Sequence, residues 1–405
     1  MATVAIIGTL DTKGAEIALA KQLIEAAGCS TVVVDVGIHA PAQVAPDVTA
    51  AAVARAAGAD LEALRRGNDR GEAMSAMARG AAIIAHELHE AGNLQAIFSL
   101  GGSGGASIAA AAMRALPIGV PKLMVSTVAG GNVAPYVGTS DLMMMYPVID
   151  FAGLNPISER VIANAAAAIA AMAKSTGGPI VLSKPIIAIT MFGVTTPGAT
   201  AAREWLEAKG YDVLIFHANG AGGRSMEALM RGGLVRGVLD LTTTELADEV
   251  VGGTLSAGPE RLDTAGSLGL PQVVSLGALD MVNFGPLASV PEKFRGRKLY
   301  QHNPTVTLMR TTPEECAILG ALIGEKLNRA KGPTAVFIPV NGISAISQPG
   351  GVFFDPAADA ALIEALRRTL DPRIACTVVD TDVNDGQFAR TMAETLDGFL
   401  RGTIR

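Results

Sequence analysis

Three stretches of the chain set small, hydroxyl-bearing and charged residues where a polyanion could be held. In IIGTLDTKGAE, Thr9, Asp11, Thr12 and Lys13 lie between Gly8 and Gly14, after an apolar run and before an alanine-rich one. A strand-to-helix turn of this kind leaves backbone N–H groups free at the positive end of a helix dipole, which favours an anion. Lys13 could meet a phosphate, and Asp11 or Thr12 could hold magnesium or a hydroxyl. The competing reading makes Asp11 an N-cap and Lys13 a solvated cation. The spelling is not a Walker A loop, because Thr12 stands where a glycine should precede the lysine and Gly14 follows it.

The second stretch is IFSLGGSGGASIAAAAMRAL, residues 97–116, where Gly101, Gly102, Gly104 and Gly105 bracket Ser103. Missing side chains let backbone amides approach phosphate oxygens, and positive φ angles let successive amides converge as a nest. A G-x-G-x-x-G fingerprint would need a glycine where Ser107 stands; a tight turn required by close packing is the alternative. The third stretch, VSTVAGGNVAPYVGTSD, supplies Ser126, Thr127 and Thr139, with Asp141 as a second candidate magnesium ligand. Asp35, at the end of TVVVD, is placed to accept from ribose hydroxyls, or to serve as a turn residue. Together these residues nominate one composite nucleotide pocket.

In the second half, His217, Asp240, Glu245, Asp280, Asn283, His302, Asn303 and Arg310 fall at or after expected strand ends. Asp240, Asn283, His302, Asn303 and Arg310 are candidate substrate contacts. Asp280 with His302 is a candidate acid/base pair, so Lys13, Asp280 and His302 are the catalytic candidates. Each also has a plain reading as a turn or hydrogen-bonding residue. HELH, at 86–89, lacks the H-E-x-x-H zinc spacing, and neither G-x-S-x-G nor Ser-x-x-Lys occurs, so hydrolase chemistry gains no support.

The elements that must position these residues alternate. TVAIIG and TVVVDVG flank an amphipathic helix closed by Gly28; a helix follows over about 71–91, then QAIFSL, a helix and KLMVST. Strands joined by helical crossovers imply an α/β fold, and ligands on such sheets sit beyond the C-terminal strand ends. KSTGGPIVLSKP breaks the pattern, which then restarts as PIIAITMFGVTTPGATAAREWLEAKGYDVLIFHANG, an echo of residues 3–37. The expectation is two Rossmann-like domains with mostly parallel sheets flanked by helices, a nucleotide-binding one over 1–178 and a second over 179–405. Residues 252–311 read as largely irregular.

Composition bounds the function. The 405 residues are 49% hydrophobic, but every run of membrane-spanning length is interrupted by Gly, Pro or charge. The N-terminus has no basic leader, so a soluble cytoplasmic protein is expected, with no membrane partner. The net charge of −6 and the lack of a basic run with aromatics argue against nucleic acid. Cys29, Cys316 and Cys376 have no paired spacing and read as buried small hydrophobes.

GTLDTKG, FSLGGSGG, PKLMVSTVAGGNVAPYVGTSDLMMMYPVID, SLGALDMVNFG, HNPTVTLMRTTPEE and PVNGISAISQPGGVFFDP are long and unusual blocks. Through them the chain resembles, nearly end to end, the ATP-binding domain family of the tomato mosaic virus resistance protein and its uncharacterised bacterial relatives. The resemblance implies two Rossmann-like domains, ATP as ligand and a homodimer. It places the nucleotide at Gly8 to Lys13, Gly101 to Gly105 and the 126–141 loop. The plant relative carries a further C-terminal barrel-like domain, and a separate protein supplying that domain is an expected partner. The expected function is therefore ATP binding with magnesium, acting on a small anionic metabolite bound between the two domains. The alternative is an ATP-dependent regulatory or protein-binding module without turnover.

Overall fold

The structure is a computed structural model that describes residues 1–40, 44–175 and 182–404. The chain divides into two compact units, 1–181 and 182–405; the domain boundary expected after residue 178 lies outside the described residues.

The first unit is built on five strands: β1 (Thr3–Gly8), β2 (Ser30–Asp35), β3 (Ala96–Gly101), β4 (Lys122–Ser126) and β5 (Met143–Met145). All run parallel in the order β2-β1-β3-β4-β5. Successive side chains of a strand point to opposite faces, so a parallel sheet covered on both sides needs apolar residues at every position. β1 shows the division. Val4 and Ile6 pack with Ile17, Ala20 and Ile24 of the helix Leu10–Ala26, and with the helix Pro156–Ser175. Ala5 and Ile7 face the helices Ala50–Ala56, Arg70–Glu90 and Ser103–Arg114. The helices that follow β1 and β3 thus lie on opposite faces, and the sheet opens between those two strands. In such sheets this reversal of strand order is where ligands are received.

The second unit carries a six-stranded parallel sheet from β6 (Ile186–Met191), β7 (Asp212–His217), β8 (Val235–Thr242), β9 (Gln272–Gly277), β13 (Thr334–Pro339) and β14 (Ala375–Val379). Its order, β7-β6-β8-β9-β13-β14, repeats that of the first unit with one strand added. A separate antiparallel sheet, β10-β12-β11, is formed by β10 (Met281–Phe284), β11 (Leu299–Asn303) and β12 (Val306–Arg310). Four strands therefore occupy the region read as irregular. The short apolar runs QVVSLG and MVNF are separated by only three residues, one of them Ala278 at φ +59°, and β11 is largely exposed and polar, so the apolar pattern that marks strands elsewhere is broken here. Cys29 and Cys316 are buried as expected, but Cys376 is exposed, because β14 is an edge strand. Among the described residues no helix is long and apolar enough to cross a membrane.

Candidate functional site

At the open edge between β1 and β3 lies a cavity of about 590 Å³. Thr9, Asp11, Thr12 and Lys13 form one wall and Gly102, Gly104 and Gly105 another. Strand register explains the meeting: Gly8 lies beside Asp35, Gly101 beside Ser126 and Ile7 beside Ser99, so the four strands end within one residue of each other. The helix Ser103–Arg114 has no side-chain cap, and its first hydrogen bond runs from Ala106 N to Gly102 O at 2.9 Å. The amides of Ser103, Gly104 and Gly105 are left for a ligand. Gly101, at φ +153°, makes the turn into this helix in a region that other residues avoid.

The charge at the cavity comes partly from residues the motifs did not reveal. Arg70, at the start of the helix Arg70–Glu90, brings its guanidinium to 3.3 Å from where a Cβ on Gly104 would stand. Arg70 is exposed, and its side chain makes no hydrogen bond or ion pair among the described residues. Arg65 and His39 also line the space, and Leu64, Met74, Met77 and Ile108 give it an apolar side. Arg65 is already engaged, donating to Ile38 O and paired with Glu62. The local sequence signal for Arg70 is Asn-Asp-Arg. Asn68 closes one helix in the left-handed conformation at φ +48°, and Asp69 caps the next through Gly71 N and Glu72 N at 2.8 and 3.0 Å. That pattern predicts a corner between helices; the approach to Gly104 is a tertiary fact.

Of the two carboxylates nominated for magnesium, Asp11 and not Asp141 lines the cavity. The Asp11 Oδ2 accepts from His39 N at 3.1 Å, while its buried Oδ1 has no partner. Asp35 takes the turn-residue role and not the ribose-facing one. It is 1% exposed, and its Oδ1 accepts from Leu10 N at 3.2 Å and Gly37 N at 2.9 Å, so it braces the two turns from behind. Burial raises its pKa against those hydrogen bonds. Asp141 is also committed elsewhere, to the buried Lys122 at 2.6 Å and Gly119 N at 2.7 Å. Burial alone would raise the Asp141 pKa, but the Lys122 hydrogen bond and charge outweigh it and hold the carboxyl below its ordinary value. Ser126 is buried and caps the turn at Val128 N, and Thr127 and Thr139 are not part of the cavity wall. Gly8 packs against Ile17 under the turn, and Ser103 is exposed beside the cavity.

The corresponding edge of the second unit is closed. Between β6 and β8, Thr190 donates to Asp240 at 2.7 Å and Thr195 pairs with Thr242 at 2.8 Å. Asp240 and Glu245 both bind the fully buried Arg261 at 2.6 Å, with Glu227 at 3.7 Å. Burial disfavours that guanidinium's charge, but the surrounding carboxylates outweigh burial and raise its pKa well above the ordinary value. Asp240 is therefore a buried ion-pair residue and not a substrate contact. Arg310 is likewise spent on Asp359 at 2.6 Å, Phe353 O at 2.8 Å and Thr311 Oγ1 at 2.7 Å. Asn283 donates to Asp248 at 2.6 Å from within the core. Asp280 does not pair with His302: it is wholly buried and accepts from Ser344 at 2.8 Å, and burial lifts its pKa to about 6. His302 and Asn303 are exposed on β11, with the His302 ring beside Tyr300. Burial lowers the pKa of His217, whose ring lies tilted against Phe192 with centroids 5.1 Å apart. A cavity of about 440 Å³ in this unit runs along Thr334, Ala335 and Ala375, at the opposite end of the strands, and no nominated residue lines it.

Family models of the "Uncharacterised protein family (UPF0261)" match the chain as an N-terminal domain over residues 2–177 and a C-terminal domain over 184–400. The chain belongs to the UPF0261 family. A UPF0261 protein of Clostridium tetani is 51% identical over 96% of this chain and 97% of its own. UPF0261 protein RA0729 of Rhizobium meliloti is 49% identical over 96% and 97%. The ToMV resistance protein Tm-1(GCR237) of Solanum lycopersicum is 43% identical over 82% of this chain and 44% of its own. Among solved structures, UDP-N-acetylglucosamine 2-epimerase from Neisseria meningitidis bound to UDP-GlcNAc is similar over 98% of this chain and 99% of that one. Its identity is 11% and its TM-score 0.25, which carries no argument about function. The two UPF0261 domains are both α/β units with mostly parallel sheets, as the sequence leads one to expect.

Proposed function

We propose that the cavity of the N-terminal unit binds ATP, and that the protein uses it with magnesium on a small anionic metabolite. The observation that carries the nucleotide reading is the approach of an unpaired Arg70 guanidinium to the uncapped, glycine-built start of the helix Ser103–Arg114. Free amides and a planar cation facing one space suit phosphate oxygens, and the apolar side formed by Leu64, Met74, Met77 and Ile108 suits a base. Magnesium would rest on the Asp11 carboxylate, with phosphate oxygens and water completing the shell, since the described residues contain no group of three metal-binding side chains. Bound there, the ion would neutralise phosphate charge. The tomato relative, a virus resistance protein by name, favours a second reading in which ATP is bound but not turned over.

Calorimetric titration with ATP and magnesium tests the site. Wild type should bind, and Arg70→Ala should lose about tenfold or more in affinity, the scale of one charge-assisted hydrogen bond, with an unchanged melting temperature. Equal affinities would remove Arg70 from the site, and no binding by wild type would end the reading. ADP release stimulated by metabolite mixtures decides between turnover and regulation.

A further inference from the structure

We infer that Lys13 links the phosphate end of the cavity to the segment 146–155, so that a bound phosphate holds this segment in place. The inference rests on the nucleotide reading of the cavity. Helix Leu10–Ala26 is interrupted at Lys13, whose φ of −127° and ψ of 20° leave the helical line. Lys13 lines the cavity, yet its ammonium donates to the carbonyl oxygen of Phe151, 138 positions along the chain. One turn further on, the buried Glu16 carboxylate accepts from Gly153 N at 3.0 Å. The Phe151 side chain is fully buried in the core that the same helix covers.

Three ties from one helix side therefore fasten a segment that has little regular structure of its own. The segment is also strained. Val148 holds φ +69°, a costly conformation for a β-branched residue, which persists only where surrounding contacts impose it. Three of the segment's apolar side chains face water: Tyr146 is 50% exposed, Val148 67% and Leu154 43%. An ammonium carries three donors, and Phe151 O uses one. A phosphate in the cavity can take the others, placing the cation between an anion and the segment's carbonyl and strengthening both contacts in a space sheltered from water. Occupancy of the cavity is then felt as rigidity of an apolar surface stretch. Lys13 acts as a positioning residue in this arrangement.

Amide hydrogen exchange on the full chain tests the link, with ATP and magnesium as the probe. In wild type, saturating ATP should slow exchange in residues 146–155 about tenfold, the scale of one charge-assisted hydrogen bond, alongside protection of residues 102–108. Lys13→Met, at ATP concentrations that still protect 102–108, should show no added protection of 146–155. Lys13→Arg, which keeps a cationic donor, should restore part of it. Protection of 102–108 in wild type with no change at 146–155 overturns the link. If ATP protects neither region, the nucleotide reading has failed, and the ligand-free proteins still decide the Lys13 contact: Lys13→Met should exchange faster at 146–155 than wild type, and equal rates overturn it.

Discussion

Asp248 shows how far a single buried residue can shape the pH response of this molecule. Burial raises its pKa from 3.8 to about 7, against hydrogen bonds from Asn283 and from Leu255 N. The folded chain therefore keeps a proton that the unfolded chain releases. The stability this contributes is full below the unfolded value and is lost as pH rises from about 4 through about 7; its upper bound is on the order of 4 kcal/mol. Asp280, lifted to about 6, acts with the same sign. Asp248→Asn should flatten the fall in urea-unfolding stability across that window. Its amide can donate to the Oδ1 of Asn283, which now lacks a partner, once the Asn283 amide turns over. A slope as steep as wild type would show that Asp248 is ionised in the native protein. The sequence marks Asp248 as nothing special, and it marks Asp240 and Arg310 as substrate contacts, because a polar residue near a strand end looks the same whether it meets solvent or a buried counter-ion. Thr9, Asp11, Thr12, Lys13 and the glycines 102, 104 and 105 were legible because each belongs to one strand-to-helix turn. Arg70 was not, since its place depends on how a distant helix docks.

At the scale of elements, the legible parts are those whose periodicity is long. The helix read over about 71–91 is Arg70–Glu90, and the strands β1, β2 and β3 fall where apolar runs end in Gly or Asp. The short helices Ala50–Ala56 and Leu61–Gly67 and the sheet β10-β12-β11 escape such reading, being only a few residues long and stabilised by packing more than by pattern. Close packing also fixes residues that periodicity leaves free. In the helix Pro313–Leu327, Gly320 faces the helix Pro356–Thr369, and a Cβ there would stand 2.2 Å from Leu362 O. The obstacle is backbone, so the helices must separate to admit a methyl group. Gly320→Ala should cost about 1–3 kcal/mol despite alanine's better helix propensity, measured by urea denaturation. A stabilised variant would mean that the two helices slide past each other freely.

At the scale of the whole molecule, two units with one strand order differ in what stands at the shared open edge. After β3 the first unit has Gly102 to Gly105, with the amides of Ser103, Gly104 and Gly105 left free; after β8 the second has Thr243, Thr244 and Glu245, all buried. Glu245 supplies its own anion to a neighbouring glycine-rich helix start. Its Oε1 accepts from Gly220 N at 2.7 Å and Gly223 N at 3.0 Å, while Oε2 takes Arg261. Backbone amides that would suit a phosphate are thus already neutralised by a carboxylate, which is itself held by a buried guanidinium. The internal echo in the sequence foretold the repeated architecture, but it could not show that the second edge is filled from within. On the proposed nucleotide reading, ATP should bind at one site per chain. Calorimetry of wild type should give a stoichiometry of about one, with affinity lost on Arg70→Ala and no weaker second phase emerging at high nucleotide concentration. Two equivalent sites per chain would require Glu245 to leave its amides, abandoning Arg261 in the core, and would overturn the view that the second unit has exchanged ligand binding for an internal ion pair.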